Sequence, residues 1–242
     1  MKPLLVFRFG GTFSELARDR GDFEDWILAG MGLARRDAIL FDVAQRQSED
    51  LPEHESVRGA VLPGSHDMLT ECPVWLEWVS DWVAGAVFRG VPLLGIFYGH
   101  QILARAFGGV VGNNPRGTEL GSVPLRLHEA AEDDLVLSGL RSGDHVYVSH
   151  TQSALGLPEE AVLLASSDRE PHHAFRIGSV AWGVQFHPEF DAAITEYYIK
   201  RGTKLLRSQG QSPERLAREC AQESSGGTVL QRFSAVTQEV TL

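Results

Sequence analysis

Only two cysteines, Cys72 and Cys220, occur in the 242 residues, and they lie far apart. That excludes a disulfide framework and a cysteine-rich metal site, and it suits a reducing, cytoplasmic setting. Positive charge is also short: 22 Lys and Arg stand against 32 Asp and Glu, for a formal net charge of −10. Non-specific binding to nucleic acid or to an anionic membrane needs a basic surface, so neither partner is expected. No apolar stretch approaches the roughly 20 residues that span a bilayer, and residues 1–3 lead straight into a strand pattern with no signal peptide. Internal repeats, low-complexity runs and linkers are missing as well. What remains is 43% hydrophobic and 22% charged, ordinary for a soluble globular chain long enough to bury a substantial core. One domain over residues 1–242 is expected, with 191–242 as a C-terminal helical segment.

Short apolar runs of strand type alternate with helical spacing through the first half. Strands are expected at 4–9, 38–43, 57–62 and from 91, and helices at 23–31 and 75–88, with a further helix running to Phe107. Trp75, Trp78 and Trp82 recur at helical spacing and are expected to pack their helix on a sheet. This alternation predicts an α/β fold, a doubly wound and mostly parallel sheet with flanking helices and ligands at the carboxyl ends of its strands. After Gly112 the texture changes to short β-type runs at 122–128, 145–150, 161–166, 172–177 and 180–186, expected to extend the sheet or form a small antiparallel layer beside it. A helix at 191–207 follows, and Ser212-Pro213 marks another helix start. Leu230 and Phe233 are the docking residues expected in the polar last segment, 224–242.

The chain is organised around residues 91–109, VPLLGIFYGHQILARAFGG. A strand, a tight reversal between Gly95 and Gly99, and a helix expected from His100 make a nucleophile elbow, in which the apex residue is held in a strained conformation above the sheet. Glycines flank such an apex because a Cβ there would collide with neighbouring backbone or with substrate. The apex is Phe97, whose phenyl ring has no lone pair or acidic proton to offer. Farther on, His187 and Glu189 stand two apart at the end of an apolar strand. A carboxylate so placed can hold an imidazole in one tautomer as a general base.

GIFYGHQ resembles the signature of the class I glutamine amidotransferases, in which a Cys stands between the Ile and the Tyr. AWGVQFHPEF, residues 181–190, is similar to the family's strand carrying the catalytic His and Glu. The likeness continues through PLLVFRFGGTF, GAVLPGSHDML, NPRGTELG and residues 227–233, and is greatest to free-standing, GMP-synthase-like members. The flavodoxin-like fold of that family, no cofactor, an amino-acid-like small-molecule ligand and a synthetase or synthase partner are what the resemblance implies. It also implies that His187 would deprotonate the nucleophile and Glu189 orient it. Gly64 and the N–H of Tyr98 would form the oxyanion hole beside Ser65, and Gln101, Ser149, His150 and Thr151 would hold substrate.

The family reaction is attack of a Cys thiolate on the glutamine side-chain amide, release of ammonia and hydrolysis of the thioester. Phe97 cannot form that bond, and loss of a nucleophile costs on the order of 10⁴–10⁶ in rate. Three readings follow: a repurposed enzyme using the retained His/Glu pair, a pseudoenzyme that binds a partner or ligand, and an ordinary amidotransferase carrying an introduced Cys-to-Phe change. Ser65, Cys72 and Tyr98 are candidate substitute nucleophiles. A metal set of His66, His100, His187 and Glu189 is conceivable, but it lacks compact ligand spacing, and no metal is expected.

Overall fold

Strand β1 (Leu4–Arg8) sends Leu4 and Val6 into one apolar cluster and Leu5 and Phe7 into another. Burial on both faces is what makes a central parallel strand read as a continuous apolar run. The computed structural model describes residues 2–220 and 224–239; residues 1, 221–223 and 240–242, and with them the ends of the expected 1–242 domain and 191–242 segment, lie outside the described residues. Helices α1 (Ser14–Arg20) and α2 (Phe23–Gly30) come next. Asp22 caps α2 and Asp25 bonds back to the cap N–H, a reciprocal box that fixes the helix start. Then follow β2 (Ala38–Asp42), β3 (Ala60–Leu62), α3 (Leu76–Phe88), β4 (Leu93–Ile96) and α4 (Tyr98–Ala106).

The second half holds β5 (Val110–Asn113), β6 (Glu119–Pro124), β7 (Arg126–Leu127), β8 (His145–His150), β9 (Gln152–Gly156), β10 (Ala161–Ser166), β11 (Ala174–Ile177) and β12 (Ala181–Val184). Helices α5 (Ala192–Ser208), α6 (Pro213–Glu219) and α7 (Gly227–Glu239) complete the described chain. The eight-stranded main sheet runs β2-β1-β3-β4-β12-β11-β10-β7. It is parallel from β2 to β12 and antiparallel beyond. β5 pairs with β9, and β6 with β8, as two antiparallel ribbons. Both expectations for the second half are therefore met: some strands extend the sheet, and others form small ribbons of their own.

The tryptophans of α3 and its N-cap, Trp75, pack as expected. Trp82 lies 5.5 Å from Phe7, Trp75 lies 4.9 Å from Phe9 and Trp78 lies 6.1 Å from Phe41, between ring centroids. Leu230 and Phe233 of α7 are fully buried in the opposite cluster. Each such large apolar side chain contributes roughly 1.5–3 kcal/mol when taken fully from water.

On α4, His100 is fully buried, with Nε2 on the carbonyl of His172 at 2.8 Å. Burial pushes its pKa down from 6.5 to about 3. The unfolded chain then binds a proton that the folded chain refuses, so the contribution is intact above pH 6.5 and is lost as pH falls towards about 3. The urea midpoint should accordingly drop between pH 7 and pH 4, and less so in a folded His100→Gln variant. Equal slopes in the two proteins would remove His100 as a cause.

Candidate active site

β12 lies beside β4 with Val184 opposite Ile96, so the two chains leave the sheet together at their carboxyl ends. Phe97 N–H donates to the Val184 carbonyl at 2.8 Å. The next residue begins α4, two residues earlier than the expected start at His100. Phe97 itself has φ 52° and ψ −97°. A non-glycine residue in that left-handed region costs on the order of 1–3 kcal/mol and persists only where the surroundings dictate it. The flanking glycines show what dictates it. A Cβ on Gly95 would stand 2.4 Å from the Gly99 carbonyl oxygen, and one on Gly99 would stand 1.9 Å from that of Leu62.

Beyond β12, His187 N–H donates to the Tyr147 carbonyl of β8, which anchors the segment. His187 Nδ1 donates to Glu189 Oε1 at 2.8 Å, and both residues are buried. Phe190 stacks on the imidazole at 3.9 Å and helps fix its plane. The Phe97 ring lies 5.0 Å from the His187 ring, centroid to centroid. His187 Nε2, the atom left free for chemistry, is buried with no hydrogen-bond partner.

Phe97 and His187 line one cavity of about 380 Å³, together with Ser65, Gln101, Ser149, His150 and Thr151. Gly64 sits between them, since a Cβ there would lie 3.2 Å from Phe97 and 3.3 Å from His187. Gln101 is buried and donates to the Gln152 carbonyl at 3.1 Å, so it is a wall of the cavity rather than a residue of the helix surface. Of the candidate substitute nucleophiles, Ser65 lines the cavity, but its hydroxyl is committed to the Phe9 carbonyl at 3.0 Å. Tyr98 places its ring in the core beside Phe9 and Trp75, and it is not among the residues lining the cavity. Cys72 is exposed, with φ 49°, beside a separate cavity lined by Glu77, Asp81 and Arg105. None of the three bonds to His187 Nε2.

Two further residues of the cavity lining, Tyr198 and Arg201, carry no local sequence signal. His66 bonds to the Tyr198 hydroxyl at 2.9 Å, which in turn bonds to Thr12 at 2.7 Å. Burial and the nearby His187 imidazole lower the His66 pKa, so this ring is neutral at pH 7. Arg201 holds its guanidinium 4.7 Å over Phe13 at the cavity edge. The metal set weighed from the sequence does not converge: His100 and His66 are turned to the partners just given. Among the described residues a different trio does, namely Glu119, His150 and His173, all buried. Burial alone would raise the Glu119 pKa, but the two imidazoles at its carboxylate hold it well below the usual range.

Comparison with known proteins gives a consistent picture. The family model described as glutamine amidotransferase class-I matches residues 32–202. A GMP synthase [glutamine-hydrolyzing] of Porphyromonas gingivalis is 40% identical over 159 residues, 64% of this chain and 28% of that protein. One from Aeropyrum pernix is 32% identical over 190 residues, 77% of this chain and 32% of that protein. The match thus spans about a third of the length of these curated relatives. The crystal structure of a glutamine amidotransferase from Thermotoga maritima superposes with a TM-score of 0.70 at 20% identity, covering 97% of this chain and 96% of that one. At that identity it bears on the fold alone, and the mostly parallel sheet with flanking helices agrees with it. No helix among the described residues is long and apolar enough to cross a membrane.

Proposed function

Because this chain belongs to the class I glutamine amidotransferase family and is GMP-synthase-like, we propose that Phe97 takes the place of the attacking cysteine and that glutamine is not hydrolysed through a thioester. In this reading the retained His187–Glu189 pair acts on an amino-acid-like small ligand in the Phe97 cavity. The observation that carries it is the Phe97 ring at 5.0 Å from His187, on the strained apex itself. The base is oriented by Glu189 and its Nε2 is free to take a proton, which favours a working site over a passive remnant. Gly64 and the Tyr98 N–H are the oxyanion donors of this reading, while Gln101, Ser149, His150 and Thr151 form the ligand wall. An apolar ring at the apex and aromatic neighbours Phe13 and Phe23 suit a ligand less polar than glutamine. Location in the cytoplasm and a synthetase or synthase partner are part of the proposal, resting on the likeness to GMP synthases.

The purified chain should release no ammonia from glutamine above a buffer control in a coupled assay. Turnover that disappears in His187→Asn would overturn the reading. Mass spectrometry of a ligand carried through purification would then name the substrate class directly.

A further inference from the structure

We propose that Glu119, His150 and His173 bind a single divalent transition-metal ion of the zinc type, at a centre distinct from the His187–Glu189 pair that shares only His150 with the ligand wall named above. Three separate parts of the fold deliver the ligands. Glu119 opens β6 and pairs across the ribbon with His150, the last residue of β8. His173 comes from the turn just ahead of β11.

The three ligand atoms all lie within 4.8 Å of one another. His150 Nε2 is 2.9 Å, and His173 Nε2 3.3 Å, from the same oxygen, Glu119 Oε2. Tetrahedral zinc with bonds near 2.0–2.2 Å separates its ligand atoms by roughly 3.3 Å, close to both His–Glu119 separations. Of the two imidazoles, only that of His150 hydrogen-bonds to the carboxylate; His173 Nε2 faces the same oxygen without making a hydrogen bond. His150 Nδ1 and both nitrogens of His173 are buried without a hydrogen-bond partner. A cation between the three groups takes one lone pair from each ring and matches the carboxylate charge.

The surroundings fit as well. Ser167 Oγ donates to Glu119 Oε1 at 2.8 Å and fixes the carboxylate. Glu170 Oε2 lies 4.0 Å from His150 Nδ1, placed to receive the ring proton once Nε2 is coordinated. Two imidazoles and one carboxylate form a donor set typical of zinc sites that keep an open position. His150 also lines the Phe97 cavity, while Glu119 and Ser167 line a second cavity of about 180 Å³ that provides a route in for the ion.

The test is titration of the chelator-treated full chain with cobalt(II), followed by its visible absorption, with zinc as competitor. One equivalent should bind with the strong bands of a four- or five-coordinate ion, and zinc should bleach them. His173→Gln should weaken binding at least ~100-fold, while His187→Asn binds as the unmodified chain does. An unmodified chain that stays colourless and takes up no zinc overturns the proposal. So does binding that survives in both His173→Gln and Glu119→Gln. Should His173→Gln lose its folded circular dichroism, Glu119→Gln and the unmodified chain still decide. Ammonia release from glutamine enters neither arm, so this centre and the proposed function fail separately.

Discussion

Phe97→Cys should release ammonia from glutamine at least ~10⁴-fold faster than the unmodified chain, in line with the loss seen when a nucleophile is removed from a comparable triad. A cysteine at that apex would inherit the backbone that now holds Phe97 at φ 52°. It would sit at the N-terminus of α4 beside the His187 imidazole, two features that stabilise a thiolate. Its removal of the phenyl ring would also open the cavity where the amide must enter. The gain should vanish in the Phe97→Cys/His187→Asn double variant. Folded Phe97→Cys protein without glutaminase activity would mean that the cavity differs from a glutamine site in more than its apex.

Gly99→Ala should cost about 3–5 kcal/mol of folding stability, at the upper end for overpacking. The added methyl would stand 1.9 Å from the Leu62 carbonyl oxygen, which belongs to β3 and cannot swing aside as a side chain would. Relief requires α4 to lift from the sheet, and α4 carries Gln101 and the elbow. Gly156→Ala is the matched control, because its Cβ would meet only Val110, at 3.8 Å; it should cost less than ~1 kcal/mol. Urea unfolding of the two variants gives the comparison, and equal midpoints would mean that the elbow yields far more easily than its contacts indicate.

Much of the sheet was legible because buried parallel strands carry uninterrupted apolar runs. β1, β4 and β12 announce themselves in this way, and the helices α2, α3, α5 and α6 by period or cap. α1 gave no such signal: in SELARDR only Leu16 is buried, and no side chain caps the helix. β5 and β9 were also missed, since VVGN is partly exposed and its register with β9 is broken by a bulge. At the candidate site, Phe97 could be placed at the apex from the strand, glycines and helix around it, and the His187–Glu189 pair from the resemblance of its short motif to the family's. The Glu119, His150 and His173 cluster could not, because only the pairing of β6 with β8 and the turn before β11 bring those residues together. His66, Tyr198 and Thr12 meet for the same kind of reason, from two separate loops and α5.

The position of β12 has a consequence for synthesis. It is the last strand of the main sheet to leave the ribosome, yet it belongs in the middle, between β4 and β11. Until it emerges, the nascent chain presents β4 as a bare edge of unpaired amides, with the antiparallel strands unmoored from the parallel ones. That interval is when mispairing with another polypeptide is easiest, and chaperone protection would matter most there.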